Sequence, residues 1–231
     1  MTPYALLTLS VKLALYAIHG AACYAGEAMT EPPAGLRERM RRTVLNEIAE
    51  VALKLFTERG YETVTIDDIA AAAGLSRRSV FRYFSTKEDI VVGKFDFVAG
   101  DMLAELRARP AGEPVWQSLR RAFDLLVPYV DAPGKHEVAE PMQRIVFQTP
   151  ALLASYLLKL QRMQDAAETA LRERAAQAGA PYAADDPAPR AITGAAFGCL
   201  VAAQHAWLAG GAKGAFADAI DRAMSAVSPR G

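Results

Sequence analysis

The stretch from Val44 to Ile90 is cut into short helical lengths by its own punctuation, and this rhythm constrains the fold more than any other feature of the chain. Val44, Ile48, Ala52, Leu55 and Phe56 recur at steps of three and four, which puts them on one stripe of a helix running from Arg37 to Arg59. Gly60 stops that helix by offering the left-handed conformation of a C-cap. Thr65 opens the next, with Asp68 three positions on completing a capping box, and Gly74 ends it. Ser76 caps a third helix from Arg77 to about Phe84. Ser85 with Glu88 reads as a further capping box, starting one continuous fourth helix through Ile90, Val91, Phe95, Val98, Met102 and Leu106. Two short helices joined by a tight turn at Gly74-Leu75-Ser76 have the dimensions of a helix-turn-helix, whose second member can enter the major groove of DNA.

The rest of the chain is also helical in pattern. Pro110 to Pro114 interrupts the periodicity, and Trp116, Leu119, Phe123, Leu126 and Val130 then mark a fifth helix whose end Pro128 bends or shortens. A sixth covers roughly Val138 to Gln148, a seventh runs from Pro150 to about Gln177, and Gly179 to Pro189 is a loop. Two last helices, about Arg190 to Leu208 and Ala215 to Val227, are separated by Gly210, Gly211 and Gly214. Abundant Ala and Leu and the rarity of β-branched runs agree with an all-α fold. The expected organisation is a leader over 1–35, a helix-turn-helix domain over 36–94 and a helical domain for effector binding and dimerisation over 95–231.

Charge alone does not point to a nucleic acid, because 26 basic residues balance 26 acidic ones. Its distribution says more: Arg37, Arg39, Arg41 and Arg42 crowd into six positions ahead of the short helices. Cys23 and Cys199 lie far apart in unlike contexts, which disfavours a disulfide and fits a reducing cytoplasm.

Pro3 to Ala25 is apolar except for Lys12 and His19, and three readings of it stand open. It is long enough to span a bilayer and tether the DNA-binding part to a membrane. It could form an extra amphipathic helix. Or Met29 is the natural start, since Met29-Thr-Glu-Pro-Pro-Ala-Gly has the composition of a short leader. A secretory signal fits poorly, because nothing basic precedes Lys12.

In the third short helix, Arg77-Arg78-Ser79-Val80-Phe81-Arg82-Tyr83-Phe84, Val80 and Phe84 share one face suited to packing. Arg77, Arg78, Ser79 and Arg82 can then face outward, where arginine can bond guanine bidentately and hydroxyls can reach phosphate or base edges. Lys87 sits in the next helical turn, beside backbone amides that attract phosphate.

These residues resemble the tetracycline-repressor-like (TetR) regulators. The likeness runs from Leu45 to Ile90, through Ala49-Glu50-Val51-Ala52, Phe56-Thr57-Glu58-Arg59-Gly60-Tyr61, Thr63-Val64-Thr65-Ile66-Asp67-Asp68-Ile69-Ala70, Ala73-Gly74-Leu75-Ser76 and Phe81-Arg82-Tyr83-Phe84-Ser85-Thr86-Lys87. The resemblance implies that Tyr83 and Lys87 touch phosphates and that positions 77–82 read bases; Arg37, Thr65 and Ser76 complete the expected DNA-facing set. Arg78 departs from the Gly or Ala common at its position in the family, which implies an uncommon operator. The family also implies that the last two helices pair with those of a second subunit, and Gly194, Ala195, Gly198, Ala202 and Ala203 supply a small-residue surface that lets helices approach. Two readers about one DNA turn apart suit a palindromic operator in double-stranded DNA.

In this family the middle helices enclose a ligand. The candidates here are Met102, Leu106, Trp116, Phe123, Met142, Ile145, Phe147, Tyr156, Met163 and Phe197, although residues of these types at helical spacing also make ordinary core. Few charges interrupt them, so an apolar or amphipathic small molecule is the expected effector. Arg144-Ile-Val-Phe-Gln-Thr-Pro150 resembles regulators thought to sense acyl thioesters, for which Arg120, Arg121 or Arg144 could meet a carboxylate or phosphate.

Enzyme chemistry lacks a signature. There is no Gly-rich phosphate loop opening a helix, no nucleophile elbow, and no Cys or His pair at zinc spacing; His136 near Glu137 and Glu140, and His205 beside Trp207, fit solvated or packed side chains. The sequence reading is of a cytoplasmic, ligand-responsive, homodimeric regulator of transcription, with no cofactor or metal and with repression as the family's usual mode.

Overall fold

The computed structural model describes residues 34–133 and 136–228, with the side chains of 34–38, 94–97 and 136 left aside. The apolar segment from Pro3 to Ala25 lies outside the described residues. Every regular element among the described residues is a helix: α1 (Ala34–Arg59), α2 (Ile66–Ala72), α3 (Arg77–Tyr83), α4 (Lys87–Val92), α5 (Lys94–Ala108), α6 (Val115–Phe123), α7 (Pro128–Asp131), α8 (His136–Gln148), α9 (Pro150–Gln177), α10 (Ala188–Ala209) and α11 (Phe216–Val227). They fall into two compact units that divide between Lys94 and Phe95.

In the first unit α1 packs on α2 and α4, and α2 packs on α3. The stripe expected on α1 is buried in part as read: Val44, Ile48, Ala52 and Phe56 are covered, and Ile69, Val80, Phe84 and Ile90 of the same unit are buried as well. Leu55 of the same stripe stays half-exposed. Thr65 caps α2, and the capping box with Asp68 closes in both directions. Gly74 takes φ +67°. Its amide and that of Leu75 donate back to Ala71 and Ala70, the paired bonds that close a helix with a left-handed residue and turn the chain toward α3.

Two expectations are corrected here. Thr86, not Ser85, caps α4, its hydroxyl accepting from the Asp89 amide, while Glu88 turns away to meet Tyr61. The fourth helix is also not continuous, since α4 and α5 are separated at Gly93. A Cβ there would lie 2.4 Å from the Asp89 carbonyl oxygen, so the close approach of backbone at this break tolerates only glycine.

In the second unit α10 occupies the middle, packing on α6, α8, α9 and α11. Phe123 of α6 meets Phe197 of α10 edge to face, ring centres 5.4 Å apart. Tyr156 of α9 is buried and donates to the buried Gln204 of α10 at 2.6 Å. Asp131 at the end of α7 accepts from the first amides of α11, Phe216 at 2.9 Å and Ala217 at 3.3 Å, a cap supplied from 85 residues away. The fifth helix stops earlier than expected. After Phe123 the amides of Asp124, Leu126 and Val127 reach back only three residues, so the chain tightens into turns before Pro128 opens α7. Among the described helices α10 is long and apolar enough to cross a membrane by length and composition, but it is packed among four neighbours.

Candidate nucleic-acid interface

The second helix of the turn is anchored from within and chemically rich without. Val80 is fully buried and Phe84 nearly so. Ser76 caps α3, its hydroxyl accepting from the Ser79 amide at 3.1 Å and lying 2.9 Å from the Ser79 hydroxyl. With that face fixed, Arg77, Arg78 and Arg82 stand exposed, and Ser79 and Tyr83 half-exposed beside them. Arg77 pairs with Asp67 of α2 at 3.0 Å and lies over the Phe81 ring at 5.4 Å, which holds its guanidinium along the helix. The Arg82 guanidinium covers the Tyr83 ring at 5.2 Å. Arg78 makes no hydrogen bond or ion pair among the described residues.

Phe81 is the member of this face that the sequence reading passed over. It is 43% exposed on a helix otherwise lined with cations and hydroxyls. The i, i+4 spacing from Arg77 was the available signal. An aromatic ring in that position can rest on a thymine methyl in the major groove.

The remaining expected contacts divide. Thr65 is exposed, but its hydroxyl is held by Asp68 at 2.6 Å. That bond, the Thr65 amide and Arg59 keep the Asp68 carboxyl low, at about 2. Arg37 lies in α1, and its side chain is outside the described residues. Lys87 is not turned outward: its ammonium donates to the carbonyls of Tyr61 at 2.9 Å and Val64 at 3.2 Å, and sits 4.0 Å from the centre of the Tyr61 ring.

In the second unit, Met102, Leu106, Phe123, Met142, Tyr156, Met163 and Phe197 are buried, while Trp116, Ile145 and Phe147 are half-buried. Trp116 opens onto a groove of about 920 Å³ that also includes Glu105, Arg109, Glu113, Arg120, Arg121, Asp221 and Met224. Arg120 bridges Asp124 and Asp221, each at 2.5 Å. Arg109 grips Glu113, to which the buried Ser118 hydroxyl also donates at 2.7 Å. These bonds, with Arg109 first, hold the Glu113 carboxyl down at about 2. Arg144 pairs with Glu140 of its own helix. Among the described residues no group of His, Cys, Asp and Glu could hold a metal ion.

The comparisons with known proteins decide the family. Residues 48–92 match the bacterial regulatory proteins of the tetR family. Residues 113–230, about half the chain, match the MftR C-terminal domain of the same group.

The chain belongs to the TetR family.

It is 35% identical to the transcriptional regulator TcmR of Streptomyces glaucescens over 135 residues, which are 56% of this chain and 59% of TcmR. It is 34% identical to the transcriptional repressor LfrR of Mycolicibacterium smegmatis over 99 residues, 42% of this chain and 49% of LfrR. The chain therefore spans about half the length of these curated relatives. Among solved structures, FadR of Bacillus subtilis in complex with stearoyl-CoA is similar in fold, with a TM-score of 0.54 at 18% identity over 79% of this chain and 96% of that one. A TetR-family regulator of Mesorhizobium loti gives a TM-score of 0.52 at 18% identity, over 81% and 94%.

Proposed function

We propose that this TetR-family chain is a sequence-specific DNA-binding regulator of transcription, a homodimeric repressor released by a small amphipathic effector. One observation carries the reading: α3 is locked by Val80 and Phe84 while Arg77, Arg78, Phe81 and Arg82 face solvent. Guanidinium forks and an aromatic ring on one short helix supply both halves of a major-groove reader, hydrogen bonds to guanine and contact with thymine. Ser79 and Tyr83 flank them as phosphate contacts.

A seven-residue helix reaches few bases, so a second copy is part of the proposal. Gly198 and Ala202 are exposed on α10, where a partner's helix can approach closely. The dimer would read a palindrome in the cytoplasm, with no enzymatic step.

For the effector we propose an acyl thioester, the ligand class to which the stearoyl-CoA of the Bacillus subtilis FadR structure belongs. We place its polar end in the groove beside Trp116, near Arg109, Arg120 and Arg121, and its chain among the apolar side chains of Met102, Leu106, Phe123, Met142, Ile145, Tyr156, Met163 and Phe197. Release from DNA requires that the effector bind the two dimer shapes with different affinity.

Selection of duplexes from a random pool by the full chain tests the reading. Enrichment of a two-fold symmetric site whose binding acyl-CoA weakens is the expected result. An unenriched pool would overturn the DNA-reading proposal, and a palindrome indifferent to acyl-CoA would overturn the effector.

A further inference from the structure

Among the described residues Arg174 of α9 is the only charged one that is buried, at 8% exposure. Its Nη2 group donates to the Pro110 carbonyl at 2.9 Å. Nε and Nη1 are buried with no hydrogen-bond partner among the described residues. Glu113 is close enough for the Arg174 charge to help hold its carboxyl down. Both Glu113 oxygens are nevertheless engaged elsewhere, by Arg109 at 2.6 and 2.8 Å and by the Ser118 hydroxyl at 2.7 Å. Native interiors leave few polar groups unpaired. Two unpaired nitrogens on a buried cation therefore mark a place where an acceptor from outside the chain can be received.

Arg174 also stands at a boundary. Met163, Ala167, Ala170 and Leu171 precede it at helical spacing on the buried stripe of α9, so an apolar surface runs up to its guanidinium. Glu113, whose carboxyl feels its charge, lines the groove beside Trp116 together with Glu105 and Arg109.

We propose that Arg174 is a specificity-determining residue for the effector's acyl carbonyl. Nε–H or an Nη1–H donates to the carbonyl oxygen, where the chain enters the interior and the polar end stays in the groove. This inference rests on the acyl-thioester reading above and names one of its contacts. Charge favours a thioester over a free carboxylate. Arg109 and Arg174 already face Glu105 and Glu113, two cations against two anions. A neutral carbonyl leaves that balance intact, whereas a carboxylate would bring a further anion beside the ionised Glu113.

Calorimetric titration of the full chain at neutral pH compares three ligands, each below its micelle concentration. They are stearoyl-CoA, its thioether analogue octadecyl-CoA, which lacks the carbonyl oxygen, and stearate. Each is titrated into wild type and into Arg174→Met, which keeps an unbranched side chain without donors. Wild type should prefer the thioester to the thioether about tenfold, close to 1.4 kcal/mol. Arg174→Met should lose that preference by weakening stearoyl-CoA alone, with octadecyl-CoA and stearate unaffected.

Equal binding of thioester and thioether by wild type, or equal loss of both in Arg174→Met, would overturn the proposal. The first of these comparisons needs no variant, so it decides the matter even if Arg174→Met does not fold. Weakening of stearate rather than stearoyl-CoA would also overturn it, because Arg174 would then serve a carboxylate. Should wild type bind neither CoA compound, the acyl-thioester reading fails first and the Arg174 contact with it.

Discussion

Removing one hydroxyl from the middle of the second unit tests its packing. Tyr156 on α9 and Gln204 on α10 are 2% and 6% exposed, and the phenol donates to the amide oxygen at 2.6 Å. In Tyr156→Phe the ring is kept and the donor is lost, so the Gln204 oxygen loses this partner in a site closed to water. Leaving a buried acceptor unpaired costs about 1–3 kcal/mol. For a chain of this size each kcal/mol moves the melting temperature by about 2–4 °C. Thermal unfolding followed by circular dichroism at neutral pH should therefore fall by roughly 2–12 °C. Adding Gln204→Leu removes both partners and should recover part of the loss. A pH limb supports the same reading. Burial pushes the Tyr156 phenol above its usual range, with the Gln204 bond opposing. A folded-state value above the unfolded one of about 10 means that stability is fully present below that pH and is lost above it. Phenylalanine has no proton to lose, so the gap between variant and wild type should narrow above about pH 10. A Tyr156→Phe variant within about 0.5 kcal/mol of wild type, or a double variant worse than the single, would refute the reasoning.

Three further outcomes follow from named contacts. Asp131→Ala strips the first two amides of α11 of their acceptor and should cost about 1 kcal/mol in thermal unfolding, as loss of a helix cap does. Glu113 has a carboxyl held at about 2 by Arg109 and Ser118, so its contribution is present above the usual carboxylate range and lost as pH falls toward that value. Wild type and Glu113→Gln should accordingly converge in stability as acid titration proceeds from pH 5 toward about 2. Phe81→Ala should leave the melting temperature nearly unchanged, since the ring is 43% exposed, while flattening the preference for thymine at one position of a selected site; an unchanged site profile would remove Phe81 from the reader.

The helical lengths were legible because caps and periodicity are local. Thr65 with Asp68, Gly74 and Ser76 signal their roles within four residues, and the structure bears out each. Ser85 and Thr86 are both good caps, and local chemistry could not rank them. The choice fell to Thr86, and Glu88 is bonded to Tyr61, 27 residues upstream. The contacts of Lys87 were out of reach for the same reason: its partners lie 23 and 26 residues earlier in the chain, beyond any spacing argument. The groove beside Trp116 depends on a pairing between Arg120 and Asp221 across 101 residues, which no periodicity reports. Phe81 was within reach of the sequence, since positions 77, 78, 81 and 82 share one face of a helix.

The central claim, that α3 reads bases, is tested most directly by fluorescence anisotropy of the full chain and of Arg78→Ala on the selected duplex and on copies changed at single base pairs. Arg78 is exposed and makes no hydrogen bond or ion pair among the described residues, so its loss should spare the fold. The account predicts a loss of about 1–3 kcal/mol on the selected duplex and a relaxed preference at one base pair of each half-site, with the others kept. Equal binding of wild type and Arg78→Ala to every duplex would contradict it.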